Sequence, residues 1–365
     1  MRVLLVDLET AWRGGQNQAL LLLEGLRGRG HKVALVAANR SALGQRAAAS
    51  GLRVHFVSRG IFRFPAAFRV RELLRKCPFD VVHANEAQAV TAVWLALRLP
   101  RAPLPVPFVI SRRVGYPLGK SALAQARYRS ASRIVANSRW VAGQASASCA
   151  PADKLDVVYE GAEIPPQFSE EERQRARAFW GISPSTPLLG CVGVLLPDKG
   201  QEWLIRALAE IQGEFPAAKL ILAGDGPCRA RLESLARDLV LNDNVIFAGF
   251  VENVETVYAA LDIFLLPSLF EALNNSLLAA MAYEIPSIAF NRGALGEIIE
   301  HGKSGLLVSG PNVEEISQAA ARLLRAPQFA RQVGRSGRLR VEQHFSAQRM
   351  VEGMIHVYQQ VLENK

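Results

Sequence analysis

The sequence predicts an α/β protein with two doubly wound, Rossmann-like domains. Short apolar runs of strand length alternate with helix-length segments along the chain, a pattern typical of parallel sheets covered by helices on both faces. The 365 residues also exceed what one ordinary core accommodates. The rhythm breaks at residues 163–173, where EIPPQFSEEER indicates a linker entering a helix. We therefore expect one domain over residues 1–165 and a second over 166–345.

The first domain is predicted from strand-like runs such as RVLLVDL and KVALVAA. Helices are expected near residues 15–28, 41–50, 65–76, 87–98, 119–131 and 139–148. Strands are expected at 2–8, 32–38, 53–57, 80–84, 107–111, 133–138 and 156–161.

The second domain repeats the alternation, with runs such as AKLILAGDG and DIFLLPS. Its strands are expected at 187–195, 218–226, 244–250, 262–268, 286–290 and 305–309. In open parallel sheets, ligands bind beyond the carboxyl ends of the strands, so the turns that follow these runs are the candidate sites.

Charge is unevenly distributed along the chain. Residues 1–165 hold 24 Lys and Arg against 10 Asp and Glu, whereas the net charge of the whole chain is +10. No acid lies between Glu86 and Asp153, whereas the basic residues there include Arg112, Arg113, Lys120, Arg127, Arg129, Arg133 and Arg139. Such a surface favours an anionic partner. Nucleic acid is not expected, because no DNA- or RNA-reading motif accompanies the charge.

The remaining composition favours a reduced, cytoplasmic setting. Cys77, Cys149, Cys191 and Cys228 show neither CxxC spacing nor nearby His partners, which argues against a disulfide framework or a zinc site. The first residues resemble a strand and not a signal peptide, and no apolar run has the length of a membrane-spanning helix. We expect a cytoplasmic protein.

Two turns could bring a ligand phosphate close to the backbone. Gly14 and Gly15 follow the first strand and open a helix, although the pattern is not GxGxxG and a nicotinamide cofactor is not expected. Gly193 begins GVLLPDKG after the first strand of the second domain, where Lys199 could reach an anion. Alone, each segment is equally compatible with an ordinary surface turn.

Three further segments end strands of the second domain. Gly224 and Phe250 lie where a nucleotide base could pack. In LFEALNNSLLAAMAYEIPSIAF, the residues Asn274, Asn275 and Ser276 are N-cap types ahead of a helix whose first N–H groups favour an anion. Glu271 just before them could bind sugar hydroxyls or cap the helix.

Taken together, the segments resemble the GT-B glycosyltransferases of the large retaining family 4. The resemblance covers nearly the whole chain and rests on the order of DVVHAN, VANS, GVLLPDKG, LILAGDGP, VIFAGF and the LFEALNNS segment. It implies a GT-B fold, a nucleotide diphosphate sugar as donor, no metal or other cofactor, and a terminal helix over about 346–365 that crosses back to the first domain.

The resemblance also implies roles for individual residues. Lys199, the Gly14–Gly15 turn and the amides near Asn275 and Ser276 would contact the diphosphate, and Glu271 the transferred sugar. Gly224 and Phe250 would lie by the base. The first domain would bind a saccharide or lipid-linked acceptor, with Asn85, Arg112 and Arg113 as candidates. Bacterial envelope polysaccharide or lipopolysaccharide synthesis would suit the basic first domain.

Three positions depart from the family pattern. Ala279 stands where a second Glu usually grips the nucleotide ribose, and Val194 where many members carry Arg. Arg112 and Arg113 replace a frequent His, and one of them could supply the missing positive charge or hold an anionic acceptor. These departures leave open a non-catalytic saccharide- or nucleotide-sugar-binding protein. A sugar-nucleotide epimerase or a phosphorylase is a further alternative, although the acids, histidines and pyridoxal lysine that they need are not evident.

The segment RGIFRFPAAFRVRELLRK, residues 59–76, predicts an amphipathic basic helix. Ile61, Phe62, Phe64 and Phe68 are interleaved with cations, and we expect Phe68 and Leu73 or Leu74 near one face. Such a helix could lie on an anionic membrane or pack on its own sheet with a solvated basic face.

Overall fold

The computed structural model describes residues 1–58, 63–98, 104–119, 121–148 and 150–363. Its contacts divide the chain into two compact units. Unit 1 comprises Met1–Gly161 and Ala347–Lys365, and unit 2 comprises Ala162–Ser346. Four residues singled out from the sequence, Ile61, Phe62, Lys120 and Cys149, lie outside the described residues.

Unit 1 is built on a parallel sheet with the strand order β3-β2-β1-β4-β5-β6-β7. The strands are β1 (Arg2–Asp7), β2 (Lys32–Ala38), β3 (Arg53–Val57), β4 (Val81–Ala84), β5 (Phe108–Arg112), β6 (Arg133–Ala136) and β7 (Leu155–Val157). The helices are α1 (Gly14–Gly28), α2 (Ala42–Ala49), α3 (Phe64–Lys76), α4 (Ala87–Arg98), α5 (Ala122–Arg129), α6 (Arg139–Ala147) and the terminal α15 (Ala347–Glu363).

Two apolar layers cover this sheet. Leu4 and Val6 pack with α3 and α4, and the alternate residues Val3 and Leu5 pack with α1, α2 and α15. The alternation follows from the two-residue period of a strand. β1 is buried on both faces, which accounts for its near-continuous run of apolar residues.

Unit 2 has a second parallel sheet, with the order β10-β9-β8-β11-β12-β13. Its strands are β8 (Leu188–Val192), β9 (Lys219–Ala223), β10 (Val245–Gly249), β11 (Ile263–Leu266), β12 (Ser287–Phe290) and β13 (Leu306–Val308). Its helices are α7 (Glu170–Phe179), α8 (Gln201–Ile211), α9 (Arg229–Asp238), α10 (Glu255–Ala260), α11 (Asn275–Ala282), α12 (Leu295–Ile298), α13 (Val313–Arg325) and α14 (Pro327–His344).

The predicted fold class, two parallel α/β sheets of Rossmann type, is confirmed. Several strands end earlier than the apolar runs suggest. β8 stops at Val192 because the next residues turn away, and the N–H of Leu195 donates to the carbonyl of Asp225 at 3.0 Å. The described helices include none that is long and apolar enough to cross a bilayer.

Candidate functional site

Three glycines bring the carboxyl ends of β8, β9 and β10 into close backbone contact. The N–H of Gly193 donates to Ala223 O at 2.9 Å, and that of Gly224 donates to Gly249 O at 2.7 Å. Gly224 has φ +141°, and a Cβ there would lie 1.9 Å from Gly193 O. No side chain fits at Gly224 without moving backbone, whereas a Cβ at Gly193 would meet open space. Phe250, just beyond Gly249, is exposed.

The turn that carries Lys199 is clamped to the loop after β11. Pro197–Lys199 form one turn of 3₁₀ helix, and the N–H of Leu269 donates to Asp198 O at 2.8 Å. Gly200 follows with φ +68°, and a Cβ there would lie 2.2 Å from Pro267 O. The position of Lys199 is therefore set by backbone contacts, not by a flexible surface loop.

Lys199 and Glu271, 72 residues apart, form an ion pair with 2.5 Å between Nζ and Oε1. Their side chains are 25% and 8% exposed, respectively. The side-chain amide of Asn274 also donates to Glu271 Oε1, at 2.9 Å. On the other side, the carbonyl of Glu271 accepts from Ala294 N–H at 3.0 Å. The Lys199–Glu271 contact therefore joins two candidate residues for which the sequence predicts separate ligand groups.

The N-terminus of α11 adjoins this pair. Asn274 is the N-cap, and its Oδ1 accepts from Leu277 N–H at 2.8 Å. The buried Tyr258 hydroxyl donates to Ser276 O at 3.3 Å, which anchors the first turn. Backbone N–H groups of a first turn have no intrahelical acceptors and attract anions. A cation, a carboxylate and a helix N-terminus with Asn275 and Ser276 thus lie together.

The two positions of unit 2 at which the sequence is expected to depart from the family pattern carry no charge in the structure. Ala279 is half-buried in α11, and its carbonyl accepts from Tyr283 N–H at 3.1 Å. Val194 is exposed, and its carbonyl accepts from the side chain of Gln201 at 3.0 Å. Neither position offers a charged group to a ligand.

The sequence assigned no role in this site to three residues of unit 2. Gly293, with φ +59°, passes so close to Glu271 that a Cβ would lie 2.0 Å from its carbonyl oxygen. Cys191 is buried, and burial raises the pKa of its thiol to about 12, so it is protonated and unreactive. Ser268 is fully buried, and its hydroxyl has no hydrogen-bond partner among the described residues. Only the glycine, as a turn former, carried a recognisable sequence signal.

Two candidates of unit 1, Asn85 and Arg113, meet in a buried polar network at the carboxyl ends of its strands. Asn85 donates to Asp7 Oδ2 at 2.6 Å, as does Gln16 at 3.0 Å. Arg113 donates to Asn85 Oδ1 at 2.5 Å and pairs with Glu160 at 3.1 Å. Burial raises the pKa of Asp7, while its bonds from Asn85 and Gln16 oppose that rise.

The network also holds the Gly14–Gly15 turn. The side-chain amide of Asn85 donates to Gly15 O at 3.3 Å. A Cβ added at Gly15 would lie 3.6 Å from the Cδ of Arg113, so the Arg113 side chain packs beside this glycine. The helix α1 begins at Gly14. Arg113 and Asn85 therefore act at least in part by fixing this turn.

Arg112 is held differently from its neighbour. Its side chain is buried and donates to the carbonyl of Tyr116 and, at 3.4 Å, to the hydroxyl of Tyr128. These contacts tie the loop after β5 to α5. Of the two arginines considered as a replacement cation, Arg112 is committed to this loop.

Two other titratable groups lie near the network. Burial, with a smaller contribution from Asp7, raises the pKa of Glu86 to about 7, against hydrogen bonds from Leu8, Gln88 and Ala89 N–H. His83 is fully buried between Tyr358 Oη at 2.7 Å and Ser111 Oγ at 2.8 Å. Burial lowers the pKa of His83 to about 3, so it is neutral and joins α15 to β4 and β5.

The basic segment forms α3, with one difference from expectation. Phe64 and Phe68 are exposed and their ring centroids lie 6.4 Å apart. Leu73 and Leu74 are buried against the sheet, so they do not share a face with Phe68. The two exposed phenylalanines lie in the first two turns of α3. The helical period of 3.6 residues places Leu73 and Leu74 on other faces of the helix.

Each unit matches a glycosyltransferase family. Residues 12–164 match the family model described as Glycosyltransferase Family 4, and residues 186–326 match the one described as Glycosyl transferases group 1. The matched ranges cover the strand-end candidates of both units.

Known proteins show the same relationship. An uncharacterized glycosyltransferase of Methanocaldococcus jannaschii is 31% identical over 218 residues, 58% of this chain and 56% of that protein. A GDP-mannose-dependent alpha-(1-6)-phosphatidylinositol monomannoside mannosyltransferase of Mycobacterium tuberculosis is 29% identical over 293 residues, 74% of this chain and 73% of that protein. The match thus spans little more than half the length of the first of these relatives.

A solved structure extends the likeness to the whole fold. The structure of HepE from Anabaena in complex with UDP-glucose has a TM-score of 0.83 and 21% identity, and the match covers 100% of this chain and 99% of that one. With two Rossmann-like units and a glycosyltransferase family match in each, the chain belongs to the GT-B glycosyltransferases.

Proposed function

We propose that the protein transfers a sugar from a nucleotide diphosphate sugar to a saccharide or lipid-linked acceptor, with retention of anomeric configuration and without a metal ion. The observation that carries this proposal is the Lys199–Glu271 pair beside the N-terminus of α11. A cation and oriented N–H groups suit a diphosphate, and a nearby carboxylate suits sugar hydroxyls.

In this proposal the donor binds unit 2. The diphosphate lies against Lys199 and the first turn of α11, and Glu271 accepts hydrogen bonds from the transferred sugar. Gly193 leaves room for the ligand beside the backbone, and Gly224 and Phe250 lie by the base. The nucleotide sugar found with the Anabaena protein is consistent with such a donor.

The chemistry follows from charge. As the bond between the anomeric carbon and the diphosphate oxygen breaks, negative charge grows on the leaving group. Lys199 and the α11 amides stabilise that charge without reorganisation. The acceptor oxygen forms the new bond on the same face of the sugar, and its proton passes to the departing phosphate oxygen.

The acceptor is assigned to unit 1, where Asn85 and Arg113 lie in the network beside the Gly14–Gly15 turn. The relatives favour an acceptor with a saccharide or lipid part, since the mycobacterial protein acts on a phosphatidylinositol monomannoside. The same reasoning supports a role in envelope polysaccharide or lipopolysaccharide synthesis.

The first experiment is isothermal titration of the full chain with UDP-, GDP-, ADP- and dTDP-sugars, followed by a test for donor hydrolysis. We expect one nucleotide class to bind and to hydrolyse slowly, and Lys199→Ala to weaken both. Saturable binding without turnover on any acceptor would favour a non-catalytic binding protein instead. The absence of a carboxylate at Ala279 makes that comparison informative.

The protein also associates, in our proposal, with an anionic membrane surface through α3. Exposed Phe64 and Phe68 are followed on the same helix by Arg75 and Lys76, which are exposed. An apolar anchor with cations favours interfacial binding. Cosedimentation with vesicles containing anionic lipid should decrease for Phe68→Ser. Equal sedimentation of wild type and variant would contradict the proposal.

A further inference from the structure

A basic cavity of about 470 Å³ opens at the amino-terminal edge of the unit 1 sheet. This is the opposite end of the strands from Asp7 and Asn85. Its lining combines cationic side chains with an apolar floor that includes Leu52 and Phe79. The cationic residues are Arg2, Arg27, Lys32 and Arg53.

The strand register places three of these cations on one face of the sheet. Arg2 pairs with Lys32 across β1 and β2, and Arg53 pairs with Ala34 across β2 and β3. Paired residues in a parallel sheet share a face, and so do residues two apart on one strand. Arg2, Lys32 and Arg53 therefore share the face on which Ala34 packs with α3 and α4.

This arrangement concentrates positive charge at the edge of the sheet, where the side chains of Arg2, Lys32 and Arg53 are all exposed. Arg2 and Lys32 are like charges on directly paired residues, which destabilises a sheet. Among the described residues none of the four cations forms an ion pair, and Arg27 donates to the carbonyl of Ser50 at 2.6 Å.

The nearby acids do not pair with the side chains of these cations. The carboxylate of Asp80 accepts from the backbone N–H of Arg2 at 2.7 Å. Glu72 pairs with Arg69 at 2.6 Å and with Lys76 at 2.7 Å. Burial, together with the charges of the N-terminal amine and Arg29, lowers the pKa of His31, which also lines the cavity. His31 is therefore neutral at pH 7 and offers a hydrogen bond, not a charge.

We propose that this cavity binds a molecule with clustered phosphate groups, at a site separate from the donor site of unit 2. Arg and Lys are the side chains that bind phosphate by charge-assisted hydrogen bonds. The volume lies in the range of small-molecule sites. The apolar floor suits a base or an acyl chain attached to the phosphates. The phosphates come from a free metabolite or from a phospholipid headgroup, and the test distinguishes these two sources.

The first arm titrates inorganic tripolyphosphate into the full chain by calorimetry. The cavity variant is Lys32→Gln/Arg53→Gln, and its matched control is Arg206→Gln/Arg335→Gln, which removes the same charge from exposed helix positions of unit 2. We expect the cavity variant to weaken the Kd by about tenfold or more and the control to leave it nearly unchanged. A third variant, Lys199→Ala, reports any binding at the donor site.

The second arm repeats the comparison with phosphatidylcholine vesicles containing phosphatidic acid. A loss of binding affinity that is confined to the cavity variant supports the proposal in either arm. The arm in which it occurs identifies the source of the phosphates, a free metabolite or a phospholipid headgroup. Equal losses in cavity and control variants would show general charge attraction and overturn it. Loss only in Lys199→Ala, or no saturable binding in either arm, would also overturn it.

Folding is a separate readout. Because the cavity variant removes like-charge repulsion, we expect its melting temperature without ligand to equal or exceed that of wild type. Tripolyphosphate should raise the melting temperature of wild type and of the control variant, but not that of the cavity variant. A cavity variant that responds to tripolyphosphate like wild type would contradict the proposal.

Discussion

The carboxyl edges of the two sheets use polar residues in different ways. In unit 2 this edge carries the Lys199–Glu271 ion pair and the three glycines that follow β8 and β9 and end β10. In unit 1 the polar groups bond mainly to one another, from Asp7 through Asn85 and Arg113 to Glu160. The edge of unit 2 therefore keeps hydrogen-bond donors for a ligand, whereas in unit 1 the donors of Asn85 and Arg113 hold the Gly14–Gly15 turn and its neighbours. We therefore expect substitutions in unit 2 to affect donor chemistry and those in unit 1 to affect stability first.

The largest effect is expected for Lys199→Ala. Loss of one donor to a developing oxyanion typically costs about 10²–10³-fold in kcat, so donor turnover should fall by that order while circular dichroism stays native. The control is Lys303→Ala, whose exposed ammonium pairs with Glu300 at 2.8 Å. Unchanged turnover in Lys199→Ala would remove this lysine from the reaction.

Two glycines of unit 2 provide a matched pair for stability. Gly224→Ala places a Cβ 1.9 Å from Gly193 O at φ +141°, so we expect a loss of about 2–4 kcal/mol in unfolding free energy. Gly193→Ala meets open space and should unfold like wild type. Denaturant titration of the full chain measures both.

The Gly193→Ala variant also tests whether the donor diphosphate approaches the backbone at this position. If a diphosphate passes close to the backbone at Gly193, Gly193→Ala should weaken donor binding in calorimetry while keeping its stability. Weakened donor binding with normal unfolding assigns Gly193 to the ligand, whereas normal values in both measurements would remove it from the donor site.

Arg113→Ala should destabilise unit 1. It removes the ion pair with Glu160 and leaves the buried Asn85 Oδ1 without the donor that Arg113 supplies. An unsatisfied buried group costs about 1–3 kcal/mol. Arg75→Ala, an exposed position on α3, is the control and should change stability little. If the Michaelis constants for donor and acceptor both stay unchanged, Arg113 has no role in holding either substrate.

The pH-dependent effect concerns His83. The unfolded chain protonates this histidine near its ordinary pKa of 6.5, whereas in the fold burial lowers its pKa to about 3. Between these values the unfolded state binds more protons, so the stability contributed by neutral His83 is lost as pH falls below 6.5. His83→Gln should reduce this slope in unfolding free energy between pH 7 and pH 4. An unchanged slope would show that other groups cause the loss.

Much of the architecture followed from local pattern. The apolar run of β1 and the amphipathic α3 were identifiable because strand and helix periods are written in neighbouring residues. The strand-end rule also selected Lys199 and Glu271 as candidates. Their direct contact was not predictable, because 72 residues separate them and the contact depends on how Gly200 and Gly293 pass the loop after β11.

The sequence by itself determined the two parallel α/β sheets, the turns where ligands are expected, and the basic character of the first half. Tertiary structure alone decided which charges are used. It paired Lys199 with Glu271, committed Arg112 and Arg113 to buried partners, and left Arg2, Lys32 and Arg53 together on one face of the sheet. The physical reason is that periodicity depends on adjacent residues, whereas the free energy of a charge depends on burial and on partners that only the folded chain brings near.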